Sequence, residues 1–344
     1  MPANHQQFRH ISGFTLLAIS VVLLVPLCLV YGPVDIPFEE VVKSLTGQEV
    51  SEPGWRMIVI ELRLPMALAA LLTGAALSVA GLLLQTTFCN PLAGPSILGV
   101  STGASLGVAI VMLGLGSALG VAGQYVATIT AAVVGAMCVI LLLMFFSALV
   151  RSTAMLLIVG IMVGYLASSV IALLNFFATQ EGVHGFMLWG LGTFSSLTLS
   201  RVGVMAAVTL PALGASMLMI KPLNALLLGQ RYAQSMGFNV KAVRHLLLLL
   251  AGVLTAVVTA FCGPIGFIGL VVPHITRMIM GTSNHNILLP ATALCGSAVA
   301  LLCALISVLP SMGGVIPINA ITPVIGVPVI IYILVARRRL SYFN

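Results

Sequence analysis

Few residues in this chain have types and spacings that could do bond-making chemistry. His274 follows Pro273 and precedes Arg277, while His184, His245 and His285 stand alone. There is no His-Glu-x-x-His pair for a zinc hydrolase and no phosphate-binding Gly-x-x-x-x-Gly-Lys-Ser/Thr loop, so ATP, if it is used, must be bound by another chain. Cys28, Cys89, Cys138, Cys262, Cys295 and Cys303 are scattered without paired spacing and are expected to be small buried apolar residues, not a disulfide or metal framework. What remains is mildly polar. Ser168, Ser169 and Asn175, with Thr255 and Thr259, lie in apolar stretches, where such groups either hydrogen-bond between helices or line a passage.

The elements that position these residues are set by composition. The chain is 60% hydrophobic and 6% charged over 344 residues, with a mean hydropathy of +1.20. A water-facing domain carries about 25% charged residues, so the bilayer must be the main solvent. About 20 apolar residues cross the hydrocarbon as a helix, and candidate spans fall near 11–31, 64–84, 97–117, 124–150, 153–177, 200–220, 245–262, 265–280, 287–309 and 320–336. The eighth is short and is expected to be interrupted at Pro273. Helices satisfy their own backbone in lipid, and the short alternating segments of a β-barrel are missing. An all-α polytopic protein of about ten transmembrane helices is therefore expected, as a single transmembrane domain over 1–344. The longest polar stretch, 32–62, is too short for a separate core, and the first span lacks a small-x-small site for leader cleavage.

Charge sets an orientation. Arg9, Arg151, Lys221, Arg231, Lys241, Arg244, Arg277 and Arg337 to Arg339 fall on the side of the N-terminus, and only Lys43, Arg56, Arg63 and Arg201 on the other. The positive-inside rule puts both termini in the cytoplasm. All seven acidic residues fall outside, and none lies within a span, which counts against a proton relay or a bare-cation site at membrane depth. The net charge of +7 is accounted for by loops near anionic lipid, with no nucleic-acid partner implied. Glycines recur at four-residue spacing as Gly99, Gly103, Gly107 and as Gly160, Gly164, a pattern of close helix packing. Between spans six and seven, Gly229 and Gly237 bracket Gln230 to Met236, about two helical turns with Tyr232, Ala233 and Met236 beside basic residues. That segment is either an interfacial connector with snorkelling arginines or a knob for a cytoplasmic ATPase.

Several motifs, in order along nearly the whole chain, carry a resemblance. They are Arg63-Leu64-Pro65, the glycine-rich stretch Gly74–Gly81, the turn Asn90–Ala93, Leu228–Gly229 with Gly237–Val240, Gly263–His274 and Ile325–Pro328. This pattern resembles the FecCD-type permeases, transmembrane subunits of type II ATP-binding-cassette (ABC) importers for iron chelates, haem or cobalamin. The resemblance implies an inverted-repeat permease fold, with spans two to five related to seven to ten, in a bacterial inner membrane. It implies a homodimer with two cytoplasmic ATP-binding subunits, which would hold the ATP and Mg, and an extracytoplasmic substrate-binding protein; the permease itself has no cofactor, metal or catalytic residue. By the same resemblance Leu228, Gly229, Gln230, Arg231, Ala233 and Gly237 couple to the ATPase. Asn90, Leu92 and Thr153 would form a cytoplasmic gate, Ser168, Ser169 and Asn175 would face the pathway between spans five and ten, and Arg63 would dock the binding protein. Met66, Ala304 and Val308 depart from the family's charged positions, and Asn319 stands where its pattern has a glycine. A ferric siderophore is the expected cargo because it is the family's commonest, with haem or cobalamin as alternatives. An ion-coupled secondary transporter is the competing class.

Overall fold

A computed structural model describes the backbone of residues 2–115, 120–150, 152–308 and 315–336. Among these residues the chain is helical throughout, with no strand. Helix α1 (Pro2–Val30) is followed by two short helices, α2 (Phe38–Thr46) and α3 (Pro53–Met57). A π-helical turn (Ile58–Arg63) leads into α4 (Leu64–Thr87), and a second (Ile110–Leu115) follows α5 (Val100–Ala109). Then come α6 (Gly120–Leu149), α7 (Thr153–Phe177), α8 (Gln180–Gly190), α9 (Leu199–Leu218), α10 (Ile220–Leu227), α11 (Gln230–Ser235), α12 (Val240–Cys262), α13 (Ile268–Met280), α14 (His285–Val308) and α15 (Ile318–Ala336). Among the described residues seven helices are long and apolar enough to cross a membrane; Val100–Gly114, Ile268–Met280 and Ile318–Tyr332 are shorter apolar helices. These coincide with the ten stretches read from the sequence.

Burial sorts the helices. The apolar window of α4 is 89% buried and those of α12 and α14 are 72% buried, whereas α1 and α7 are at 22% and 17%. The bundle is therefore built around α4, which packs on α14, α12, α13 and α9. Its glycines explain how closely. A Cβ on Gly81 would lie 1.7 Å from the carbonyl oxygen of Gly269 in α13. That carbonyl would normally accept from residue 273, and Pro273 has no N–H to give. Helix α13 runs unbroken through Pro273, so the expected interruption there is not found. The helix is short because the chain turns at Gly263 to Phe267 before it begins. Gly263 has φ 79° with the Trp189 carbonyl 2.5 Å from where a Cβ would sit, and Phe267 takes φ 65°. The four-residue glycine series also packs as its spacing predicts: Gly103 faces Gly135 of α6, and Gly99 faces Gly160 and Gly164 of α7. Ser78 and Ser297 add hydrogen bonds across the α4–α14 contact, to the carbonyls of Thr292 and Leu71.

The polar stretch after α1 folds over one end of the bundle. Ile36, Val41 and Val59 are buried there, and Glu40 accepts from Lys43 Nζ at 2.7 Å and from the Ser51 N–H at 2.9 Å. At the other end, Arg9 donates to the carbonyls of Ile279 and Met278, capping the C-terminus of α13. Arg9 and Arg277 thus share one end of the bundle, as the charge distribution requires. Arg151 and Arg337 to Arg339, which entered that distribution, lie outside the described residues.

Candidate functional site

A cavity of about 440 Å³ opens where α5, α7, α8, the α12–α13 turn and the start of α15 meet. Its polar lining is Ser96, Ser101, Thr102, Ser105, Ser168 and Asn319; Ile171, Phe186, Trp189 and Ile265 supply apolar walls. No lining residue is ionisable. The cavity is in the size range of small-ligand sites, but hydroxyls distributed over apolar surface give many weak contacts, not one strong anchor. That suits a passage. Along its flank, α7 exposes Met155, Ile158, Met162, Tyr165, Leu166, Leu173, Phe176 and Phe177.

Of the pathway residues expected on α7, Ser168 lines the cavity. Ser169 instead returns its hydroxyl to the Tyr165 carbonyl at 3.0 Å, and Asn175 Nδ2 donates to Ile171 at 3.1 Å; neither is among the lining residues. Thr255 likewise bonds within its own helix, to Ala251 at 2.7 Å. The hydroxyls of α5 and Asn319 were missed by sequence reasoning. Ser101 and Ser105, four apart on one helical face, were the available signal.

At the opposite end, the turn after α4 is held in a defined shape. Asn90 Oδ1 accepts from the Leu92 N–H at 2.9 Å, and the Pro91 carbonyl is 2.8 Å from His274 Nε2. Leu92 is exposed. Thr153 begins α7, and its side chain lies outside the described residues. Nearby, Gln85 joins two helices, accepting from Arg277 Nη1 at 2.7 Å and donating to the Leu270 carbonyl at 3.1 Å. His285, isolated in sequence, is not isolated in space. Its Nδ1 lies 3.0 Å from Asn224 Oδ1, its backbone N–H donates to the same oxygen at 2.8 Å, and Thr86 Oγ1 is 3.0 Å from Nε2. A neutral ring protonated on Nδ1 satisfies every member, with Thr86 donating to Nε2. This chain of bonds ties α10 to α4 and α14.

Helices α10 and α11 meet at Gly229, whose φ of 106° and ψ of 154° break the run. Gln230 is half-buried, and Arg231 and Gly237 are exposed. Leu228, Tyr232 and Met236 stand out at 66%, 49% and 55% exposure. Ala233, expected on that surface, is turned inward at 1% and anchors the segment instead. The helix expected between Gly229 and Gly237 is present, from Gln230 to Ser235.

Arg63 requires a correction. It was expected to present its charge to a binding protein, yet it is 4% exposed. Its guanidinium donates to the carbonyls of Leu29 at 2.8 Å, Val30 at 2.6 Å and Val34. The turn after α1 leaves those carbonyls without helical partners, and the arginine folds back onto them over Gly32, where a Cβ would meet it at 2.9 Å.

A bundle of membrane-long helices packed around α4, with an uncharged hydroxyl-lined cavity at its side and a knob of two short helices at one end, has the architecture of a transport permease. The chain belongs to the FecCD transport family, whose model matches residues 19–336. It is 36% identical over 335 residues to the vitamin B12 import system permease protein BtuC of Klebsiella pneumoniae, covering 96% of this chain and 94% of that protein. It is 34% identical to BtuC of Escherichia coli O9:H4, at 98% and 99% coverage. A solved structure described as an inward-facing conformation of a metal-chelate type ABC transporter superposes with a TM-score of 0.81 at 27% identity, covering 93% of this chain and 97% of that one. This protein is accordingly a permease of an ABC importer and not an enzyme, with ATP hydrolysis on a separate subunit. The preference for a ferric siderophore finds no support in these relatives, which are vitamin B12 permeases.

Proposed function

We propose that this chain carries a bulky metal chelate, cobalamin in the first instance, across a bacterial inner membrane as one of two paired permease copies. The observation that carries the reading is the uncharged, hydroxyl-lined cavity beside the exposed face of α7. A two-fold pairing of that face would cover it and join two such cavities into a route for a large ligand with many hydrogen-bonding groups. The names of the relatives support cobalamin over the other family cargoes. Affinity would then reside in an extracytoplasmic binding protein, which hands substrate to the end of the bundle bearing α2, α3 and α8.

Two cytoplasmic ATP-binding subunits, holding ATP and Mg, would seat on Leu228, Gly229, Gln230, Arg231, Tyr232 and Met236. Their movement would pass through α10 and the Asn224–His285–Thr86 bonds to the end of α4, and so to the Asn90–Leu92 turn that, with Thr153, forms the inner gate. Both termini would lie in the cytoplasm by the positive-inside rule. A ferric siderophore is the second reading, favoured by the likeness to a metal-chelate type transporter. The test is purification of the tagged chain from its membrane with its partners, followed by uptake into proteoliposomes containing ATP on the ATPase side. ATP-dependent accumulation of cyanocobalamin is expected. Accumulation of a ferric siderophore alone would move the assignment to the second reading, and ion-driven uptake without any ATPase would overturn both.

A further inference from the structure

Asn319, the residue that departs from the family's glycine, sits where three elements meet. Its Nδ2 donates to the Gly190 carbonyl at 3.0 Å and the Pro264 carbonyl at 2.5 Å, and its Oδ1 accepts from the Gly266 N–H at 3.1 Å. The backbone N–H groups of Asn319 and Ile318 donate to Leu191 and Gly192, both at 3.2 Å. The orientation of the amide follows from its surroundings: two carbonyls face one end and an N–H faces the other, so a flipped amide would set oxygen against oxygen. Gly190, Pro264, Gly266 and Asn319 all line the cavity.

Depth makes these bonds consequential. Helix α13 has 13 residues and is therefore about 20 Å long, against about 30 Å of hydrocarbon. The turn preceding it thus lies within the membrane, where irregular backbone persists only if it is buried in protein or borders a cavity. A glycine at 319 would have no side chain to offer Pro264 and Gly266.

We infer that Asn319 is the positioning residue that locks α8, the Gly263–Phe267 turn and α15 together at the binding-protein end of the cavity, so that substrate enters only when α8 or α15 leaves this amide. The inference rests on the cavity being the transport route. Opening the mouth breaks the side-chain bonds of Asn319 as well as the backbone bonds from Ile318 and Asn319, and the side-chain bonds make the closed state of this chain more populated than glycine at that position would allow.

The test uses the assembled importer in proteoliposomes. Ser168→Cys, on a background with the exposed Cys89 and Cys138 replaced by serine, reports on the cavity through its reaction with a bulky membrane-impermeant maleimide applied from each side. Asn319→Gly is expected to speed labelling from the α8 side at least tenfold and to slow it from the opposite side. Tenfold corresponds to about 1.4 kcal/mol, within reach of the three side-chain bonds lost. Asn319→Asp, which keeps the acceptor for Gly266 but loses both donors, should move both rates the same way. If it fails to fold, Asn319→Gly still carries the test, since it restores the residue of the family pattern. Unchanged labelling from the α8 side with an unchanged melting temperature would overturn the inference. So would equal acceleration from both sides, which would mean loosening without gating. Protection of Ser168→Cys by delivered substrate, measured with Asn319 intact, reports separately on whether the cavity is the route.

Discussion

Arg63 allows a buried structural role to be separated from a docking role by replacing one side chain. Its fork fixes the carbonyls of Leu29, Val30 and Val34, and hydrogen bonds to a charged group contribute roughly 1.5–3 kcal/mol each. Full additivity is not expected. Val30 is half-buried and Val34 exposed, so water can replace the donor there, and Nε is buried without a hydrogen-bond partner, which offsets part of the gain. A net loss of about 3 kcal/mol for Arg63→Ala follows. Arg63→Lys should lose roughly half of that, because one ammonium cannot span three carbonyls set around a planar fork. Gly32→Ala offers a second handle, since its methyl would displace the guanidinium without removing it. The assay is thermal unfolding of the purified permease without partners, alongside the affinity of the assembled importer for its binding protein. Destabilisation in the order Ala, Lys, wild type is expected, with Gly32→Ala also destabilised. If Arg63→Ala melts like wild type while the binding protein dissociates faster, the buried role assigned here is wrong and the docking role is restored.

Gly81→Ala should be far costlier than its single methyl suggests, at about 3 kcal/mol or above, because the new carbon meets backbone of α13 and not a movable side chain; loss of folded protein in detergent, against tolerance of Gly54→Ala with open space around it, checks this. Around α2, the hydrogen bond from Lys43 and that from the Ser51 N–H hold the Glu40 carboxylate below its usual range. Its stabilising contribution is therefore complete above the ordinary carboxylate pKa and is lost as pH falls through the depressed value. Hydrogen exchange in residues 38–51 should rise only in acid, and Glu40→Gln should show the raised exchange at neutral pH.

The span pattern was legible because about twenty apolar residues in a row have few alternatives in a chain so poor in charge; α7 begins and ends where its hydropathy does. Cause was harder to see than extent. The ends of α13 were readable, but Pro273 looked like the break, because proline usually is one; a neighbouring helix contacting the freed carbonyl of Gly269 is invisible in sequence. Rotation about a helix axis separated Ser168 from Ser169, since adjacent residues point about 100° apart and no strong amphipathic pattern fixed which faced inward. Arg63 and His285 failed for another reason. Their partners lie 34 and 61 residues away at Leu29 and Asn224, and only the folded chain brings them together.

The lining of the cavity has an electrical consequence. With no ionisable side chain among its lining residues, the cavity brings no fixed charge of its own into the membrane field, where moving one elementary charge is worth about 2.3 kcal/mol per 100 mV. The lining itself thus adds no side-chain charge for the field to act on. A neutral chelate passing these walls should therefore meet no fixed side-chain charge in them, and comparison of uptake in polarised and depolarised vesicles reads whatever charge the cargo or the rest of the assembly moves.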